Sequence, residues 1–104
     1  MKEVKAYIRR ERMDAVIHEL AQIEGVSGVS ASTVTGFGRS RGVLKIVNFE
    51  THVKLEIVCA DELKEQVVQS ILRSGNTGTR GDGKVFVSTV DEAYRVENCT
   101  CLTE

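Results

Sequence analysis

Between Thr77 and Lys84 the chain reads Thr-Gly-Thr-Arg-Gly-Asp-Gly-Lys and runs directly into Val85-Phe86-Val87-Ser88-Thr89-Val90. Counted from Gly78, this is glycine, four residues, glycine and lysine. It matches a phosphate-binding P-loop up to the last position, where Val85 replaces the Ser or Thr. A P-loop lysine must be followed by a helix, whose N-terminal amides meet the phosphates and whose hydroxyl holds magnesium. Val85, Phe86, Val87 and Val90 start a helix poorly and a strand well, so an NTPase loop is excluded. What remains is a turn in which Gly78, Gly81 and Gly83 can take positive φ and bring backbone N–H groups to an anion, with Lys84 beside it. Standing alone, such a segment reads better as a plain turn between a helix and a strand.

A second glycine-punctuated segment lies upstream: Gly36-Phe37-Gly38-Arg39, followed by Arg41 and Gly42. Between the two runs a strand-like stretch, His52 to Leu63. Other chemistry-bearing residues are few. Cys99-Thr100-Cys101 places two soft ligands one residue apart, which hold a thiophilic metal only if further ligands join them. A disulfide between them would be strained, and an unattached tail with two exposed thiols is the plainer reading. Cys59 has strand phasing and reads as core. His18 falls outside the apolar stripe of its helix and reads as a surface residue. His52 reads equally as a strand-edge residue and as part of a cleft. Glu56 has Lys54 within reach as an ion-pair partner. No activated nucleophile pair, metal-binding helix or carboxylate dyad is present, so no catalytic residue is assigned.

At 104 residues the chain is one domain, and a domain of that size buries roughly two-thirds of its unfolded surface. Hydrophobic content of 41% and charged content of 28% fit an ordinary globular protein. There is no Trp or Pro, and aromatics make up 5%, a poor supply for stacking single-stranded nucleic acid. A net charge of −1 gives no global support for capturing DNA. The charge is uneven, with Arg39, Arg41 and Lys45 giving residues 36–45 a local +3, the footprint of an anion site. Residues 91–104 carry a local −3 and read as a solvated tail. No apolar run approaches about 20 residues and the N-terminus lacks a signal-peptide core, so neither membrane insertion nor secretion is expected. Three cysteines argue against a disulfide scaffold and suit a reducing cytoplasm.

The elements that position these residues follow from periodicity. Val4, Ala6 and Ile8 alternate with Lys5, Tyr7 and Arg9 as a half-buried strand. Met13, Val16, Ile17, Leu20 and Ile23 have helical spacing, with Gly25 at the C-terminal cap. Residues 26–36 read as a second strand. Val47, Phe49, Val53, Leu55, Ile57 and Cys59 share one phase, so a long third strand is expected to begin before His52. Asp61 and Glu62 open a second helix with the buried stripe Leu63, Val67, Ile71 and Leu72, ended by Gly75. Residues 84–90 form the last strand. The order is strand-helix-strand twice over, an α+β, ferredoxin-like βαββαβ sandwich with an antiparallel sheet and two helices on one face. Tyr7, Val58, Phe86 and Val90 are left on the other face, too apolar for water, and oligomerisation is the simplest cover.

The ordered trio of Gly36-Phe37-Gly38-Arg39, the strand beginning His52-Val53-Lys54-Leu55-Glu56-Ile57-Val58, and Thr77 to Lys84 resembles the PII (P-II) signal-transduction family from Met1 to about Arg95. The resemblance implies one domain over residues 1–96, with 38–51 as a shortened T-loop and 97–104 as a cysteine-containing tail. It implies a homotrimer with sheets turned inward and ATP, ADP or AMP bound in the intersubunit clefts. Gly36, Phe37, Gly38, Arg39 and Ser40 would wall one side. Gly81, Asp82, Gly83 and Lys84 would hold phosphates, Val58 would pack near the adenine, and Arg95 would reach in from the neighbour.

The departures from the family pattern carry their own implications. The second C-terminal arginine is here Glu97, whose charge repels an outer phosphate, so ADP or AMP is expected to bind better than ATP, although Arg80 can compensate. The glutamine after the first glycine segment is Ser40, and the lysine before the third strand is His52, which points away from sensing 2-oxoglutarate. The modified tyrosine of the loop is missing. These features resemble PII-like branches that read adenylates together with bicarbonate beside membrane transporters. A small anion such as bicarbonate is therefore expected near Arg39, Ser40, Arg41 and His52. The expected role is cytoplasmic signalling to a partner such as a transporter, in carbon or nitrogen metabolism. The alternatives are a slow nucleotidase in the same cleft, or a metal-tolerance trimer using Cys99, Cys101 and His52.

Overall fold

A computed structural model describes residues 1–40, 42–47 and 52–102, with 37–40 and 45–47 as backbone. In chain order the elements are β1 (Lys2–Arg9), α1 (Met13–Ala21), β2 (Ser30–Thr33), β3 (Gly36–Ser40), β4 (Val43–Val47), β5 (His52–Cys59), α2 (Lys64–Gly75), β6 (Gly83–Thr89), β7 (Tyr94–Arg95) and β8 (Thr100–Cys101). A single 3-10 turn leads into each helix, Arg10–Arg12 into α1 and Asp61–Leu63 into α2.

The main sheet has the order β2-β5-β1-β6, every neighbouring pair antiparallel. With two helices on one face, this is the expected α+β ferredoxin-like arrangement. Strand alternation builds the core. Val4, Ala6 and Ile8 of β1 and Val53, Leu55, Ile57 and Cys59 of β5 are buried against Val16 and Leu20 of α1, Ile23, and Val67 and Ile71 of α2. Burial pushes the Cys59 thiol above its ordinary range. Gly75 closes α2 against the core, where an added Cβ would make ordinary contacts with Ile8 and Val16 at 3.5 and 3.7 Å.

Leu72 is a correction. It was read into the buried stripe of α2 but is 49% exposed. The inner positions are Val67, Ser70, Ile71 and Ser74, and Leu72 lies about 100° around the helix from Ile71. Ser74 belongs inside because its hydroxyl donates to the Ser70 carbonyl.

The second strand is shorter than expected, and β3 and β4 pair separately from the main sheet, antiparallel, Gly36 opposite Val47 through Ser40 opposite Val43. The long third strand therefore divides. β5 begins at His52 and Val47 belongs to β4, while Phe49 lies outside the described residues.

The face of the sheet away from the helices is mixed rather than uniformly apolar. Phe86 and Val58 are exposed there, and Phe86 meets the edge of the Tyr7 ring at a centroid distance of 6.2 Å. Lys5 lies opposite both Glu56 and Phe86, and Lys54 pairs with Glu56 at 3.4 Å, as the sequence suggested.

Candidate functional site

The site begins with the loop between α2 and β6. Gly78, Gly81 and Gly83 all take positive φ, at 75°, 92° and 126°. At Gly83 the requirement is absolute, since a Cβ would stand 1.7 Å from the Tyr7 carbonyl oxygen. The close approach lets β6 pair with β1 from its first residue, Gly83 opposite Ile8, and places Lys84 opposite Tyr7. Lys54 is the register partner of Tyr7 on the other side, so two lysine positions flank Tyr7 on the open face.

Asp82 organises the loop from within. Its carboxylate accepts from the Thr77 hydroxyl, from the Thr77 amide at 2.8 Å and from Arg9 Nε at 2.9 Å. The Thr77 hydroxyl, then Arg9 and the Thr77 amide, hold the Asp82 carboxyl well below the usual carboxylate range. Asn76 Oδ1 accepts from the Gly78 amide at 2.6 Å. Asp82, placed among the phosphate contacts by sequence, thus spends its charge on the loop itself, and exposed Lys84 follows at the loop exit.

Two residues from the end of the main sheet grip the loop. Arg9 Nη2 donates to the Arg80 carbonyl at 2.8 Å, and His52 Nε2 lies 2.9 Å from the Gly81 carbonyl. Arg9 and His52 are register partners on β1 and β5. The loop leaves the end of α2, which packs over Ile8, and its Arg80 and Gly81 carbonyls meet the ends of β1 and β5 before β6 begins.

The two glycine segments do not adjoin neighbouring strands. The strands they adjoin, β2 and β6, are the opposite edges of the sheet, though at the same end of it. Gly36, Phe37, Gly38, Arg39 and Ser40 form β3, and Arg41 lies outside the described residues. Val58 is at the far end of β5, six residues and about 20 Å from His52. Arg95 sits on the β7–β8 hairpin, opposite Thr100, with Glu97 in its turn. One protomer thus gathers Gly81, Asp82, Gly83, Lys84 and His52, and leaves Val58 and Arg95 apart.

A cavity of about 230 Å³ opens beside the loop, lined by Ile8, Ile71, Leu72 and Val85 with Asn76 and Lys84 at its polar side. Pockets that enclose a drug-sized ligand run from roughly 300 Å³ upward, so this cavity, as the described residues form it, does not by itself enclose a nucleotide. Cys99 is exposed, with φ of 58°, and Cys101 half-buried. Among the described residues no group of three or more His, Cys, Asp or Glu side chains is placed to hold a metal. Nor is any described helix long and apolar enough to cross a membrane. Sequence reasoning missed Arg9, which carried no local signal beyond its place on the polar phase of β1.

The glycine loop, the ferredoxin-like sheet and the hairpin all lie inside the match to one family description, nitrogen regulatory protein P-II, over residues 1–99. Proteins named nitrogen regulatory protein P-II from Bradyrhizobium diazoefficiens, Cereibacter sphaeroides and Haemophilus influenzae are each 39% identical over 103 residues, spanning 92% of this chain and 91% of their own length. With fold, loop and nearly full-length similarity in agreement, the chain belongs to the P-II family of regulatory proteins.

Proposed function

We propose that the chain is a signalling protein that binds adenine nucleotides in clefts between the subunits of a homotrimer, ADP or AMP in preference to ATP. Bicarbonate acts as a co-effector near Arg39, Ser40, Arg41 and His52. Nucleotide state is passed through the β3–β4 hairpin to a partner such as a membrane transporter, in inorganic-carbon or nitrogen metabolism. The protein is not a 2-oxoglutarate sensor and is regulatory rather than catalytic.

The observation that carries this reading is a preformed glycine loop whose own carboxylate is already satisfied, with exposed Lys84 at its exit. An anion meeting that loop finds amides and a cation rather than a competing charge. The edge positions of β2 and β6 support a site completed by a neighbour, as do a cavity too small for a whole nucleotide and the distant Val58 and Arg95. Glu97, close in sequence to Arg95, supports the preference for fewer phosphates.

Calorimetric titration tests it. ADP and AMP should each bind more tightly than ATP, and Glu97→Arg should narrow the gap. Lys84→Ala should weaken ADP by about 1.5–3 kcal/mol, the worth of a charged hydrogen bond. Equal affinities for the three nucleotides would remove the ranking, and an unchanged Lys84→Ala would remove the loop assignment.

A further inference from the structure

Arg9 Nη2 and His52 Nε2 each meet a carbonyl of the glycine loop, those of Arg80 and Gly81 in succession. In a trans peptide the N–H points opposite to the C=O of the same unit. Drawing these two carbonyls toward the sheet end therefore turns the amides of Gly81 and Asp82 the other way, to the outer side of the loop. The amides of Thr77 and Gly78 are meanwhile taken by Asp82 and Asn76. The loop is thus divided: its early amides are consumed internally, and those of Gly81 and Asp82 are aimed outward next to Lys84.

We infer that Arg9 is a positioning residue for phosphate binding, acting through the loop without touching the ligand. The inference rests on the reading of residues 81–84 as the phosphate-holding segment. Arg9 is suited to the task because its planar guanidinium makes two differently directed bonds, Nε to the Asp82 carboxylate and Nη2 to the Arg80 carbonyl. The Arg9–Asp82 pair is only about one-fifth exposed on each side. A Cβ on Gly81 would also press on Arg9 Nη2 at 3.4 Å, so the loop backbone and the guanidinium fit closely. Lysine at position 9 keeps the charge but cannot make both bonds at once in this geometry.

The test separates phosphate binding from folding. ADP and adenosine are titrated against ¹⁵N-labelled full-length protein, following amide shifts, for wild type, Arg9→Gln, Arg9→Lys, Asp82→Asn and Lys84→Ala. Arg9→Gln should lower ADP affinity about tenfold, the scale of one charge-assisted hydrogen bond, and leave adenosine affinity unchanged. Arg9→Lys should recover part of the loss, and Asp82→Asn, which opens the same pair from the other side, should reproduce it. If Arg9→Gln fails to fold, Arg9→Lys and Asp82→Asn carry the same comparison. An equal loss for ADP and adenosine would reveal a merely structural arginine and overturn the inference. So would full ADP affinity in Arg9→Gln while Lys84→Ala weakens it. Full ADP affinity in Lys84→Ala would instead strike at the underlying reading of the loop.

Discussion

At the scale of single residues, Asp82 shows how a carboxylate serves an anion site without joining it. Its native pKa lies below the ordinary 3.8, because the Thr77 hydroxyl, Arg9 and the Thr77 amide all favour the charged form. With a depressed carboxyl, stability climbs with pH through the range in which the unfolded state binds the extra proton and is full above it. The contribution is complete above about pH 5 and is lost as pH falls below 3.8 toward the native value. Asp82→Asn should accordingly melt below wild type at neutral pH, and the gap should close on acidification. Thermal melts from neutral to strongly acidic pH check this, and a pH-independent gap would contradict it. The sequence placed Asp82 in a binding loop but did not say which way its charge faced. That depends on Arg9, distant in sequence, and no local pattern announces so remote a partner.

At the scale of elements, alternation and helical spacing made β1, β5, α1 and most of α2 legible, because each buries one regular face. The β3–β4 hairpin was not legible as such. A glycine-rich segment has little side-chain periodicity to read, and Val47 happened to share the phase of β5 across the intervening residues. The start of β6 was read one residue late because only the backbone approach at Gly83 defines it. That approach gives a prediction. Gly83→Ala meets the Tyr7 carbonyl and an unfavourable φ together, so it should unzip the first β1–β6 pairs and lower the melting temperature by several degrees. Amide exchange should quicken at Tyr7, Ile8 and Val85 before it quickens in β5. Undisturbed exchange at these positions would show that the strand entry tolerates the side chain.

For the whole molecule, the sequence foretold the layered architecture, while the two glycine segments adjoin strands at opposite edges of the sheet. The meeting of the loop carbonyls with the ends of β1 and β5 is a long-range event that propensities do not encode. The open face, with Phe86 packed edge-on to Tyr7, is the surface through which three copies would assemble. Light scattering of wild type at micromolar concentration should give the mass of a trimer. Phe86→Glu, which places a charge on an exposed apolar position, should shift it toward monomer with the fold retained. A wild-type monomer would dismiss the trimer, and a Phe86→Glu trimer would move the interface elsewhere.

Because Asp82 already satisfies the amide of Thr77, the cradle carries a built-in stand-in for part of what an incoming anion would otherwise have to organise. Docking there need not be accompanied by ordering of the chain. The heat-capacity change on ADP uptake should then be small, on the scale of desolvating the ligand rather than of folding a segment. Any larger structural response would have to arise beyond this loop, in the hairpin that leads away from β2.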